Sequence, residues 1–253
     1  MTAWSKPLKS LIARLPPNRG IALEKRFKRM YRPAWLGTLR NTRPLSDCWG
    51  FDRGMPVDRY YIEAFLRQHR QDIRNHVLEV HDRRYTERFG VGVELSDILD
   101  IDSSNVMATV VADLSKPNQI QSETFDCFIL TQTLHLIYDA RAAIFQAHRI
   151  LRPGGVLLVT VPSVSRINPE YGLKCDYWRF TVASCQKLFA EVFGATVEVS
   201  SYGNVLACIA FLAGLASQEL SFRELEAHDD HFPLIIAVRA VKTASPSKPS
   251  RLP

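Results

Sequence analysis

The residues able to do chemistry gather where apolar runs give way to polar ones. Glu79 stands inside the run Val77–His81, Asp102 closes Ile98–Asp102, and Asp113 and Leu114 end Thr109–Leu114. A carboxylate so placed either accepts hydrogen bonds from a ligand or forms a turn and caps a helix. Thr131, Gln132 and Thr133 close the run that starts at Phe125. They line a pocket or satisfy exposed backbone groups. His135 follows. Its ring titrates near neutrality and suits a general base for a hydroxyl, or it packs under a loop at a helix start. His81 and Asp82 invite a metal or acid–base reading. No further His, Cys or acid stands at ligand spacing, which argues against a metal.

Two clusters add large side chains. In the run Cys175–Thr181, Tyr177 and Trp178 can stack on a sugar or aromatic ring, and Arg179 can grip an anion. The same run also reads structurally, with Thr181 as a helix cap and Trp178 and Phe180 as core plugs. Arg53, Asp58, Arg59 and Tyr60 form either a lid over a ligand or an ion-paired network holding the N-terminal part down.

Alternating elements must position these groups. Apolar spacing predicts helices over Val57–Arg70, Ala140–Leu151, Val182–Phe193 and Asn204–Ala216. Strands are predicted at Val77–His81, Ile98–Asp102, Thr109–Leu114, Phe125–Gln132, Val156–Val161, Ala195–Ser201 and Leu234–Val241. Arg152-Pro153-Gly154-Gly155 reads as a helix stop. Trp35–Pro56 and Ser163–Phe180 read as loops. A helical turn near Leu8–Leu15, a basic helix over Ile21–Tyr31 and a disordered tail complete the chain. Such alternation implies an α/β fold: a mostly parallel sheet with helices on both faces. The expected organisation is an N-terminal extension over 1–56, one α/β domain over 57–242 and a tail over 243–253.

Composition sets outer limits. Of 253 residues, 46% are hydrophobic and 23% charged, which suits a packed core. Five scattered cysteines without a C-x-x-C pair point to free thiols and a cytoplasmic setting. The longest apolar run, Val205–Ala216, is too short to span a bilayer, which takes roughly 20 residues. The net charge of +6 is uneven: residues 1–50 hold eleven Lys or Arg and two acids. That basic arm suits phosphates, an anionic membrane or an acidic partner, and equally a solvated surface.

The run from Val77 to Val161 resembles the class I S-adenosylmethionine-dependent methyltransferases. The resemblance is carried by Val-Leu-Glu-Val at 77–80, Leu-Asp-Ile-Asp at 99–102 and Val-Ala-Asp-Leu at 111–114. Phe-Asp-Cys-Phe-Ile-Leu-Thr-Gln at 125–132 and His-Arg-Ile-Leu-Arg-Pro-Gly-Gly-Val-Leu-Leu-Val at 148–159 complete it. The stretch Trp49–Glu63 is similar to a bacterial group often encoded beside glycosyltransferase and polysaccharide genes. The resemblance implies a seven-stranded Rossmann-like sheet whose last strand is antiparallel, with S-adenosylmethionine as cofactor. It implies that Asp102 takes the ribose hydroxyls, that Asp113 and Leu114 take the adenine, that Glu79 steadies the first turn, and that His81 in that turn adjoins the cofactor. Thr131 and Gln132 would face the methionine part, His135 the acceptor, and Tyr177, Trp178, Arg179, Arg53 and Tyr60 the substrate side. The implied reaction is methylation of a small-molecule or carbohydrate acceptor, at oxygen.

The pattern breaks after strand one, where the family has Glu-x-Gly-x-Gly and this chain has Glu79-Val80-His81-Asp82-Arg83. Glycine lets the backbone approach a cofactor closely. Three outcomes are open: the side chains turn outward, the cofactor shifts so that Arg83 or Arg84 meets its carboxylate, or the site is lost. In the last case the chain is a non-catalytic partner-binding subunit. A nucleic-acid methyltransferase ranks third, for want of an Asn-Pro-Pro-Tyr signature after strand four. The acceptor and the oligomeric state are not legible.

Overall fold

The computed structural model describes residues 37–169 and 172–243. The expected turn at Leu8–Leu15, the helix at Ile21–Tyr31 and the tail from residue 244 lie outside them. Pro44–Pro253 forms one compact unit, and Gly37–Arg40, a 3-10 turn, belongs to the other, Met1–Arg43.

The unit from Pro44 holds helices α1 (Val57–Gln68), α2 (Arg84–Phe89), α3 (Ala140–Ile150), α4 (Val182–Phe193), α5 (Val205–Ala213) and α6 (Phe222–Glu226). Its strands are β1 (Asn75–Val80), β2 (Val93–Asp100), β3 (Val110–Val111), β4 (Phe125–Thr131), β5 (Leu151–Pro162), β6 (Val197–Tyr202) and β7 (Ile235–Val241). They form one sheet in the order β3-β2-β1-β4-β5-β7-β6. The pairings among the first five are parallel, and β7 runs antiparallel to both neighbours. The chain is thus an α/β protein with a Rossmann-like, mostly parallel sheet.

The core lies on both faces, which is why β4 is apolar at nearly every position. Phe128 and Leu130 point to one face and pack with Ala143, Ile144 and Phe189 of α3 and α4. Cys127 and Ile129 point to the other and pack with Ile62, Phe65 and Phe211 of α1 and α5.

Several boundaries differ from expectation for local reasons. β3 shrinks to two residues: beside it, Thr109 Oγ1 takes Ile98 N–H at 2.9 Å, so a side chain replaces a ladder bond. β5 begins at Leu151, directly after α3, so Arg152–Gly155 is the lead-in of a strand and not a separate stop. Gly154 N–H reaches Lys242 O at 2.7 Å and Lys242 N–H reaches Gly155 O at 2.9 Å. A Cβ on Gly155 would meet Arg152 O at 2.8 Å and Phe125 O at 3.0 Å, so the close approach requires glycine. α5 stops at Ala213 because Gly214 turns left-handed at φ 77°. α6, which periodicity does not predict, is too short to show a repeat and rests on a capping box between Ser221 and Glu224.

Candidate functional site

In an open parallel sheet, ligands bind outside the carboxyl ends of the strands where strand order reverses. Here β1 leads leftward to β2 and rightward to β4. The residues past those three strand ends therefore define the site.

Glu79 is 1% exposed. Its carboxylate accepts from Tyr85 N–H at 3.0 Å, Thr86 N–H at 2.7 Å and Thr86 Oγ1 at 2.7 Å. It thereby ties the end of β1 to the start of α2. Burial pushes its carboxyl up to about 7, although the Thr86 and Tyr85 donors pull the other way. A group whose pKa is raised on folding holds a proton that the unfolded chain releases near 4.5. Its contribution is therefore full below about pH 4.5 and is lost as pH rises through 7, on the order of 3 kcal/mol. Glu79→Gln should remove this slope. In urea unfolding, the stability of the variant relative to the wild type should rise by roughly 2–3 kcal/mol between pH 4.5 and 8. A difference independent of pH would contradict it.

His81 occupies the turn with φ 71°, the left-handed conformation that favours glycine. The backbone keeps the glycine-type course and carries an imidazole outward, with the side chain 78% exposed. His81 N–H pairs with Leu99 O at 2.9 Å, which brings the imidazole beside Asp100. His81 Nδ1 lies 3.3 Å from Asp100 Oδ2. Asn105 Nδ2 donates to Asp100 Oδ2 at 2.7 Å and to His81 O at 2.9 Å, fastening the two strand ends together.

Strand β2 ends at Asp100, so Asp102 does not close it as expected from the sequence. Asp102 stands two residues on, in a turn, where its carboxylate takes Ser104 N–H and Ser104 Oγ, both at 2.8 Å. Asp113 likewise turns the chain onto Ser115 N–H at 2.8 Å and pairs with Lys116 at 3.1 Å. Ser115 above all holds its carboxyl below the usual range. Leu114 beside it is buried.

Past β4, Thr131 is buried, and Gln132 takes φ 46° and donates its N–H to Thr160 O at 2.8 Å. Thr133 Oγ1 turns back onto Thr131 O at 2.9 Å. His135 is buried, its Nδ1 has no hydrogen-bond partner, and burial pushes its pKa down to about 4. His135 O accepts from Tyr177 N–H at 3.0 Å and Trp178 N–H at 3.2 Å, which docks the loop after β5 beside β4. Trp178 Nε1 donates to Ile137 O and Tyr138 O, both at 3.1 Å, and its ring stacks on Tyr138 with centroids 6.1 Å apart. Tyr138, Tyr177 and Trp178 are all exposed and form an aromatic patch at this edge. Sequence reading overlooked Tyr138, which stands three residues past His135 without a motif around it.

Three of the expected substrate residues are engaged within the chain. Arg179 pairs in fork fashion with the buried Asp176 and donates to Arg166 O at 2.9 Å. Burial pushes the Asp176 carboxyl up, but Arg179 and the Asn168 N–H bring it below the usual range. Arg53 pairs with both oxygens of Glu219, and Tyr60 Oη with Glu226. These two contacts fasten the loop before α1, and α1 itself, to the segment before β7.

Two shallow clefts of about 530 and 560 Å³ lie elsewhere, and neither is lined by Glu79, His81, Asp100 or Gln132. Among the described residues there is no cluster of three or more His, Cys, Asp or Glu able to hold a metal, and no helix long and apolar enough to cross a membrane.

Residues 76–159 match the family model of a methyltransferase domain. An S-adenosylmethionine-dependent methyltransferase from Mesorhizobium loti superposes with a TM-score of 0.50 at 18% identity, over 76% of this chain and 100% of that one. A SAM-dependent methyltransferase from Archaeoglobus fulgidus gives a TM-score of 0.48 at 13% identity, over 73% of this chain and 94% of that one. No curated protein matches in sequence.

Proposed function

We propose that this chain, whose residues 76–159 carry a methyltransferase domain, is an S-adenosylmethionine-dependent methyltransferase acting at oxygen on a small-molecule or carbohydrate acceptor. One observation carries the reading: the turn after β1 keeps a glycine-type backbone at His81 and sets it beside a carboxylate, Asp100, at the end of β2. Bound S-adenosylmethionine supplies a methyl group already activated by its sulfonium, so the protein's task is placement.

In this reading Asp100, not Asp102, accepts from the ribose hydroxyls, because two acceptor oxygens suit two adjacent donors. Asp113 and Leu114 flank the adenine, and Thr131 and Gln132 face the methionine part. Tyr138, Tyr177 and Trp178 offer ring faces to the acceptor. His135 stays neutral above about pH 4, which suits accepting a hydrogen bond from a hydroxyl better than storing its proton. The resemblance of Trp49–Glu63 supports an acceptor from bacterial polysaccharide or secondary metabolism, in the cytoplasm.

One observation favours a second reading. The His81 ring already approaches Asp100, as expected of a partner-binding subunit that no longer takes the cofactor. Calorimetric titration with S-adenosylhomocysteine separates the two. Micromolar binding supports the enzyme, and transfer of labelled methyl to candidate acceptors follows. Absence of binding up to millimolar ligand, by a sample with a cooperative thermal melt, moves the weight to the non-catalytic subunit.

A further inference from the structure

Among the described residues, four buried side-chain polar atoms have no hydrogen-bond partner: Asp58 Oδ1, Arg59 Nε, Ser96 Oγ and His135 Nδ1. Two of the four belong to consecutive residues of opposite charge in the first turn of α1. Asp58 is 8% exposed. The two charges attract each other, but a buried polar atom left without a hydrogen bond is costly and persists where something else satisfies it.

Their position is specific. Arg59 Nη1 donates to Tyr85 Oη at 3.0 Å, and Tyr85 N–H donates to Glu79 at the end of β1. Arg59 is thus two hydrogen bonds from the turn that lacks its glycines. The other two arginines of that turn have acids of their own: Arg84 reaches Asp82 at 2.8 Å, and Arg83 lies 4.0 Å from Glu87. They do not supply the cation that a carboxylate at this turn would need.

We propose that Asp58 and Arg59 hold the zwitterionic amino-acid end of the methyl donor, with Arg59 on its α-carboxylate and Asp58 on its α-ammonium. The assignment rests on the cofactor reading above. A carboxylate and a guanidinium on adjacent residues complement a group that carries both charges on one carbon. A phosphate or a simple cation would satisfy one of them and leave the other unpaired. The pair thus supplies side-chain contacts on an element outside the β1 turn, where the family's glycine loop offers backbone. Burial pushes the Asp58 carboxyl above its usual range, against the pull of the Arg59 charge and of the backbone donors of Arg59 and Asp58.

The test compares S-adenosylhomocysteine with 5′-methylthioadenosine, which keeps the adenine and ribose but lacks the amino-acid end, by calorimetry. The wild type should prefer the former by at least about thirtyfold, as expected for two charge-assisted contacts. Asp58→Asn and Arg59→Gln should each weaken S-adenosylhomocysteine about tenfold or more and leave 5′-methylthioadenosine within about threefold. Retained binding of the shorter ligand also reports that the variant is folded. Equal loss for both ligands, or an unchanged preference, overturns the assignment. A wild type that binds both ligands alike overturns it and spares the cofactor reading. A wild type that binds neither overturns both.

Discussion

Phe128→Ala should cost about 3–5 kcal/mol of folding stability, the usual range for emptying a fully buried aromatic site. Phe128 is 0% exposed and sits mid-strand in β4, paired to Leu78 of β1 and Leu157 of β5. Its ring belongs to the cluster that joins the sheet to α3 and α4, and close-packed strands on both sides leave little room for collapse into the void. For a unit of this size the loss corresponds to a fall in Tm of roughly 6–20 °C. Phe145 on α3 is 56% exposed, and Phe145→Ala should stay within about 1 kcal/mol. Calorimetric melts of the two variants check this. Equal losses would mean that the core is not centred on β4.

Asp100→Ala should weaken S-adenosylhomocysteine about thirtyfold or more, since hydrogen bonds to a charged acceptor contribute about 1.5–3 kcal/mol. Asp102→Ala should change affinity by no more than about threefold, because its carboxylate is exposed and closes its own turn on Ser104. The contrast is sharp because the two acids are two residues apart, so their general electrostatic effects are alike. The reverse ranking would place the ribose beyond the strand end and break the link between strand register and cofactor position. Asp100 carries a burial penalty, but Asp102 N–H, Asn105 and His81 hold its carboxyl below the usual range, so it stays ionised at neutral pH.

What the sequence made legible follows from where its signals are local. α4 matches its expected span, Val182–Phe193, at both ends because Thr181 and Ser184 form a capping box and Gly194 follows the last turn. The order of strands and helices is equally legible, since buried parallel strands are near-continuous apolar runs. The identity of the strand-end acid was not. Asp97, Asp100 and Asp102 crowd one stretch, and only the parallel pairing of Val80 with Leu99 decides which of them stands at the edge. Arg179 reads as a free anion grip until the loop after β5 curls and brings the buried Asp176 onto it. The unsatisfied Asp58 Oδ1 and Arg59 Nε are likewise invisible in one dimension, because burial depends on residues far along the chain. Tyr138 joins an aromatic patch only through Tyr177 and Trp178, about 40 residues later.

The place of β7 bears on how the chain can be made. Among the described strands it is the last to leave the ribosome, yet it lies between β5 and β6 and supplies the antiparallel pairing of both. Until it emerges, β5 has one open edge and β6 has no neighbour. The loop before α1 waits as well, since Leu45 N–H and Met55 O bond to Ala213 and Ser217. Vectorial synthesis can therefore assemble β1 to β5 with α2 and α3, but the right-hand third of the sheet must close at once when residue 241 is free. A nascent chain arrested before Ile235 should expose the β5 edge and an unpaired β6 to chaperones, whereas one released after Lys242 should leave only the outer edge of β6 open on that side.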